Sequence, residues 1–140
     1  MLEWGERPVS LCSYLEGRRK MQIVIYSHEA EQEQFHRWID SYEMLAFRQI
    51  QYSCCDNYDA FLRKLEQGLA DLIIISINGA DGMEGVIAAR KLQPKAKLIW
   101  LSEDKAFGPQ SYRLNCTYFA VKPITKELLK QAITCCLRVS

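Results

Sequence analysis

Apolar and polar positions follow two alternating rhythms along this chain. Gln22 to Tyr26 (QIVIY) is a short, β-branched apolar run of the kind buried on both faces of a parallel sheet. Residues 29–42 change to helical spacing, with Phe35, Trp38, Ile39 and Tyr42 at i, i+3, i+4 and i+7. Met44 to Ser53 reads as a strand, and its Arg48, Gln49 and Gln51 suit a sheet edge. Asn57 is an N-cap candidate, followed by Tyr58, Phe61, Leu62, Leu65 and Leu69 at helical spacing. Asp71 to Ile77 (DLIIISI) is the strongest strand signal and is predicted to be central. Asn78 to Gly82 is a loop by composition, and Met83 to Leu92 a helix that stops before Pro94. Lys97 to Leu101 is a fourth strand, residues 105–114 a short helix, and Thr117 to Val121 a fifth strand. Thr125 caps a last helix with Leu128, Leu129, Ala132, Ile133 and Cys136 on one face.

Five strands alternating with five helices predict an α/β fold, a doubly wound parallel sheet covered on both sides by right-handed crossovers. In such sheets chemistry gathers beyond the carboxyl ends of the strands, where the strand order switches. The positions of interest are therefore Ser27, His28 and Glu29, then Ser76 to Asn78, then Ser102 to Asp104, and Lys122.

With 140 residues, 49% of them hydrophobic, the chain fits one globular domain, and no apolar run approaches the length of a membrane span. The net charge of +1 indicates no chain-wide attraction to nucleic acid. Its distribution is uneven: residues 21–85 carry 4 basic and 11 acidic groups, residues 86–140 carry 10 basic and 3 acidic. The basic half has no recognition-helix pattern or basic-aromatic platform, so a solvated or partner-facing surface is expected there. Of the six cysteines, the adjacent pairs Cys54-Cys55 and Cys135-Cys136 lack the spacing of a zinc knuckle or redox motif. The cysteines are expected to be reduced cytosolic thiols, mostly filling the core. Residues 1–20 show neither rhythm nor a signal-peptide centre, and are expected to be an extension ahead of a domain at 21–138. Met21, which opens a strand directly, is a candidate start, and a flexible arm is the alternative.

Several stretches in the expected order resemble the receiver domain of bacterial response regulators, the CheY-like family with flavodoxin-like topology. MQIVIYSHEAE resembles its first strand and acidic loop, ADLIIISINGADGMEG its third strand and phosphorylation loop, KLIWLSED its fourth strand, and TYFAVKPITKELL its last strand, Lys-Pro pair and final helix. FGPQSYRLNCTYFAVKP is most like receivers that precede LytTR-type DNA-binding domains. The resemblance covers residues 21–138 and implies strand order 2-1-3-4-5. It implies that Ser76 stands at the phosphoacceptor position and Ser27 and His28 at the acidic pair that holds magnesium. Ser102 matches the hydroxyl residue, Lys122 and Pro123 the lysine-proline pair, and Phe119 the aromatic switch position.

The departures are chemical. Magnesium is a hard cation that takes oxygen ligands, carboxylates above all, and Ser27, His28 and Ser76 supply no carboxylate. A serine hydroxyl forms no acyl phosphate, and its one candidate base is His28. The magnesium site is therefore expected to be lost, and with it the magnesium-dependent transfer; no cofactor and no metal are expected. Glu29 is the nearby carboxylate candidate, with Asp81 and Asp104 on adjoining loops. The loop after Ser76 looks one residue longer than the family's. Lys122 is read as a lock that donates to Ser76, Ser102 or backbone carbonyls, in preference to holding a free anion.

The expected function is a non-enzymatic, cytoplasmic signalling module. It is a degenerate receiver acting by phosphorylation-independent contact with a protein partner or a second copy, through residues 105–138. Neither nucleic-acid binding by this domain nor membrane association is expected. If an output domain adjoins it, the resemblance implies transcription regulation. The alternatives are a phosphorelay receiver with another acceptor, such as Asp81, and a flavodoxin-like ligand binder. The latter lacks a phosphate-cradling glycine loop after the first strand, where Ser27-His28-Glu29-Ala30 stands.

Overall fold

A computed structural model of the protein describes residues 20–45 and 49–138. The expectations for residues 1–19, including Cys12 and the arm, lie outside the described residues. The elements run β1 (Met21–Ser27), α1 (Glu29–Ser41), a 3-10 turn (Glu43–Leu45), β2 (Ile50–Cys55), α2 (Tyr58–Gln67), β3 (Leu72–Ser76) and α3 (Gly79–Leu92). They continue with β4 (Lys97–Ser102), a second 3-10 turn (Lys105–Phe107), α4 (Gly108–Arg113), β5 (Tyr118–Val121) and α5 (Lys126–Arg138). The strands are all parallel, in the order β2-β1-β3-β4-β5.

The period-2 geometry of a strand divides the central apolar runs between two cores. Ile23, Ile25, Leu72, Ile74, Ile99 and Leu101 face one side, where Phe35 and Ile39 of α1 and Leu129 and Ile133 of α5 close over them. Val24, Tyr26, Ile73, Ile75, Leu98 and Trp100 face the other, under Phe61 and Leu65 of α2 and Val86 and Ala89 of α3. Continuous apolar runs are required here because β1, β3 and β4 are covered on both faces. The outer strand β2 is half-exposed along most of its length, which its glutamine and serine residues tolerate.

Two sequence expectations change. The strand expected from Met44 starts only at Ile50, because Glu43–Leu45 turns instead and seats Leu45 in the first core. The loop expected over residues 78–82 is mostly helix, since α3 begins at Gly79. Two of its glycines, Gly82 and Gly85, are packing residues. A Cβ on Gly82 would fall within the Ile77 carbonyl, 2.9 Å from its carbon, and one on Gly85 would lie 3.0 Å from the Tyr26 ring. At Gly82 the neighbour is backbone and must shift for any larger residue, whereas at Gly85 it is a side-chain ring.

Polar side chains tie the amino-terminal edge of the sheet together. Gln93, buried at the end of α3, donates to the carbonyls of Leu65 and Gly68 at 2.8 and 2.7 Å and accepts from the Ala70 amide at 3.2 Å. Arg90 donates to five backbone carbonyls, those of Gln93, Pro94 and Ala96 on the approach to β4 and of Leu114 and Asn115 on the approach to β5. Asn115 there takes a left-handed φ of 57°.

Alternation also separates the vicinal cysteines of β2: Cys54 is exposed and Cys55 buried, so their thiols cannot act as a chelating pair. Cys54 lines an open cavity of about 310 Å³ beside Arg63 and Lys64. Burial pushes the Cys136 and Cys116 thiols up to about 12 from an ordinary 9, the latter despite the opposing charge of Arg90. Unfolded thiols ionise near pH 9, so between there and pH 12 proton loss favours the unfolded chain. Stability present below pH 9 is therefore lost as pH rises toward 12, by about 1–2 kcal/mol near pH 10.5 from Cys136 alone. Urea midpoints at pH 8 and 10.5 read this, and Cys136→Ala should flatten the difference; equal slopes in the two proteins would refute the assignment.

Candidate functional site

The strand order switches between β1 and β3. The chain leaves β1 through α1 on one face and leaves β3 through α3 on the other, so the loops part and open a crevice above the strand ends. Its floor is three serines, Ser27, Ser76 and Ser102, which end β1, β3 and β4 and are each 0% exposed. Ser27 and Ser76 are direct neighbours in the ladder.

Each hydroxyl has a different task. Ser27 Oγ donates to the His28 carbonyl at 3.1 Å, while Gln32 Nε2 donates to the Ser27 carbonyl at 3.1 Å, so both bind the turn into α1. Ser102 Oγ accepts the Asp104 amide at 3.1 Å, and its carbonyl accepts the Lys122 amide at 2.8 Å. Ser76 Oγ donates across the crevice to Glu31 Oε1 at 3.1 Å. Glu31 Oε2 lies 3.4 Å from Lys122 Nζ, which itself donates to the Ser76 carbonyl at 3.3 Å. The Lys122 side chain is 12% exposed and that of Glu31 31%. A closed ring of one carboxylate, one ammonium, one hydroxyl and one carbonyl thus joins the loops after β1, β3 and β5.

The other expected residues lie around this ring. Glu29 and His28 are exposed at the start of α1. Asp81 is exposed in the first turn of α3, where it adds to the burial that pushes the Tyr26 hydroxyl up. Asp104 accepts the Ala106 amide at 2.9 Å and caps a 3-10 turn. The peptide between Lys122 and Pro123 is cis. Phe119 meets the buried Trp100 edge-on at 5.3 Å, and Phe107 stacks on the same indole at 5.1 Å. Among the described residues, Trp100 Nε1 is a buried donor with no partner.

Glu31 is the residue that sequence reasoning missed, Glu29 having been expected in its place. The signal lay in helix geometry. With His28 as N-cap, Glu31 is the third residue of α1, and side chains at that position lean back over the helix amino terminus. Glu29, the first residue, projects to solvent.

Chemically the ring is a neutral, self-satisfied cluster. Ser76 is fully covered by its partners, so no substrate can reach the hydroxyl while the ring is closed. Among the described residues no three His, Cys, Asp or Glu side chains group as metal ligands. No helix among them is long and apolar enough to cross a membrane.

No family model matches this chain. A curated relative, the sensory transduction protein LytR of Staphylococcus epidermidis, is 29% identical over 80 residues, covering 56% of this chain and 32% of that protein. The chain therefore matches about a third of its relative's length. The crystal structure of a CheY-like response regulator receiver domain protein from Methanospirillum hungatei aligns with a TM-score of 0.66 at 17% identity, covering 83% of this chain and 92% of that one. Response regulator TrrA of Thermotoga maritima, in complex with magnesium and beryllium fluoride, aligns with a TM-score of 0.60 at 20% identity, covering 83% and 98%. The fold is that of CheY-like response regulator receivers, as the sequence resemblance implied.

Proposed function

We propose that this chain, which has the receiver fold, is a receiver domain of two-component signalling that has exchanged phosphotransfer for protein contact. The observation that supports it best is the Glu31–Lys122 pair over Ser76. In receivers the strand-end crevice uses carboxylates to seat magnesium, which offsets the charge of an incoming phosphoryl group. Here the three strand ends are neutral, and the carboxylate that enters is held by an ammonium. A divalent ion would have to displace Lys122 and would find one carboxylate, so these residues do not fit magnesium.

The surface left to carry a signal is the one formed by residues 105–138. It is basic and presents Tyr112, 86% exposed on α4, and Val121, 40% exposed on β5. A protein partner or a second copy fits it, in a cytoplasmic regulator whose output is transcription through a LytTR-type domain. The experiment is incubation with acetyl phosphate and magnesium, read by intact mass. The expected result is an unmodified chain. A phosphoryl adduct on Ser76 would overturn the reading, and one on Asp81 would establish the relay reading in its place.

A further inference from the structure

We propose that the outer edge of β2 is a docking site for an extended acidic segment of another protein, added to the five-stranded sheet as one more strand. The site lies at the opposite margin of the sheet from residues 105–138, since β2 and β5 are its two ends, so it goes beyond the reading above and stands apart from it.

In a parallel pair, alternate residues of one strand turn both backbone groups to the neighbour, and the residues between turn theirs away. The Met21 amide donates to the Gln49 carbonyl at 2.7 Å, and Met21 stands opposite Ile50. Gln51, Ser53 and Cys55 therefore face β1, while Ile50, Tyr52 and Cys54 hold their amides and carbonyls outward. Nothing among the described residues pairs with that side. Edge strands are commonly closed to newcomers by charge, proline, a bulge or a covering element. β2 reads Ile-Gln-Tyr-Ser-Cys-Cys, without charge or proline, and its register with β1 runs unbroken from Ile50 to Cys55. A row of backbone donors and acceptors is left ready for another chain.

The open cavity of about 310 Å³ beside this edge selects the newcomer's charge. Ala60, Arg63, Lys64 and Gln67 of α2 line it at i, i+3, i+4 and i+7, one stripe of the helix. Ser53 lines it from the strand, on the same face as Cys55, whereas Cys54 alternates to the face of Tyr52 and brings its backbone. Among the described residues, the side chains of Ser53, Arg63, Lys64 and Gln67 have neither hydrogen bond nor ion pair. Residues 21–85 carry 4 basic groups, and two of them meet here, while Asp59 and Glu66 of the same helix lie off the stripe. Two uncommitted cations, a hydroxyl and a carboxamide suit a strand that carries Asp or Glu on its α2 side. Main-chain bonds supply the affinity of such a strand, and the cavity reads its alternate side chains. A small free anion would fill the cavity and leave the edge open, whereas a segment of chain uses both. A second copy of β2 brings no acidic side chain, since its six residues carry no charge.

The test titrates the full chain with a capped six-residue peptide of alternating Val and Glu, matched in length to β2, and reads fluorescence anisotropy and amide hydrogen exchange. The expected result is saturable binding that slows exchange at Tyr52 and Cys54 and leaves Ser53 and Cys55, already in the ladder, unchanged. In an added strand the nitrogens of one residue type face β2 and those of the other face away. Methylating the Val nitrogens or the Glu nitrogens is therefore expected to abolish binding in one peptide and spare it in the other. Arg63→Gln/Lys64→Gln is expected to weaken binding at least about tenfold. No binding of the Val-Glu peptide would overturn the proposal, as would binding that survives both methylations or is equal in the double variant. A dimer in sedimentation that Cys54→Pro dissociates would also overturn it, in favour of a second copy on the edge, because proline there removes an outward N–H and no ladder bond. If the double variant does not fold, the methylated peptides against the unaltered chain decide alone.

Discussion

Replacing Gln93 with leucine is expected to destabilise the domain by about 2–5 kcal/mol, although leucine fills nearly the same volume. Gln93 is 4% exposed and serves three backbone groups at the junction of α2, α3 and β3. Two of them, the Leu65 carbonyl and the Ala70 amide, belong to buried residues that water does not reach. Each buried group left without a partner costs about 1–3 kcal/mol. The Gly68 carbonyl belongs to an exposed residue and can turn to solvent, so it adds little. Urea unfolding at neutral pH measures the loss. A leucine variant as stable as the wild type would mean that the three contacts contribute nothing net.

A comparable loss is expected from Gly82→Ala. Alanine ordinarily stabilises a helix interior over glycine by about 0.5–1 kcal/mol. Here the added methyl meets the Ile77 carbonyl oxygen and carbon, which are backbone atoms just past the end of β3 and cannot rotate away. Helix α3 must lift from the sheet, and overpacking of this sort costs about 1–3 kcal/mol. The melting temperature should fall by roughly 5–10 °C for a domain of this size. Gly108→Ala is the matched control: its Cβ would meet nothing within 4 Å and its backbone is already helical, so no loss is expected. A Gly82→Ala chain that melts at or above the wild type while Gly108→Ala is unchanged would show that the helix accommodates the methyl without cost.

The same glycine shows where the sequence was hard to read. Asn78-Gly79-Ala80-Asp81-Gly82 has the composition of a loop, and composition carries no information about how closely a helix must approach a strand. Position 82 needs glycine because the carbonyl of Ile77 lies against it, a fact of three-dimensional geometry. By contrast, β1, β3 and β4 were legible, because burial on both faces forces uninterrupted Val, Ile and Leu, and the helical spacings of α1, α2 and α5 report single buried faces. The neutral strand ends Ser27, Ser76 and Ser102 were equally legible as residue types. Their partners were not. Glu31 enters the crevice through the backward lean of one side chain across a helix terminus. Spacing along the chain placed Glu29 nearer, whereas direction in space selected Glu31.

Arg90 has a consequence for how the sheet is completed. Its guanidinium gathers carbonyls from two chain reversals, one entering β4 and one entering β5. Either reversal that opens costs the guanidinium part of its acceptors, so one side chain braces both approaches. The last strand, short and at the margin of the sheet, is thereby anchored where it begins to the same side chain that holds its neighbour's approach.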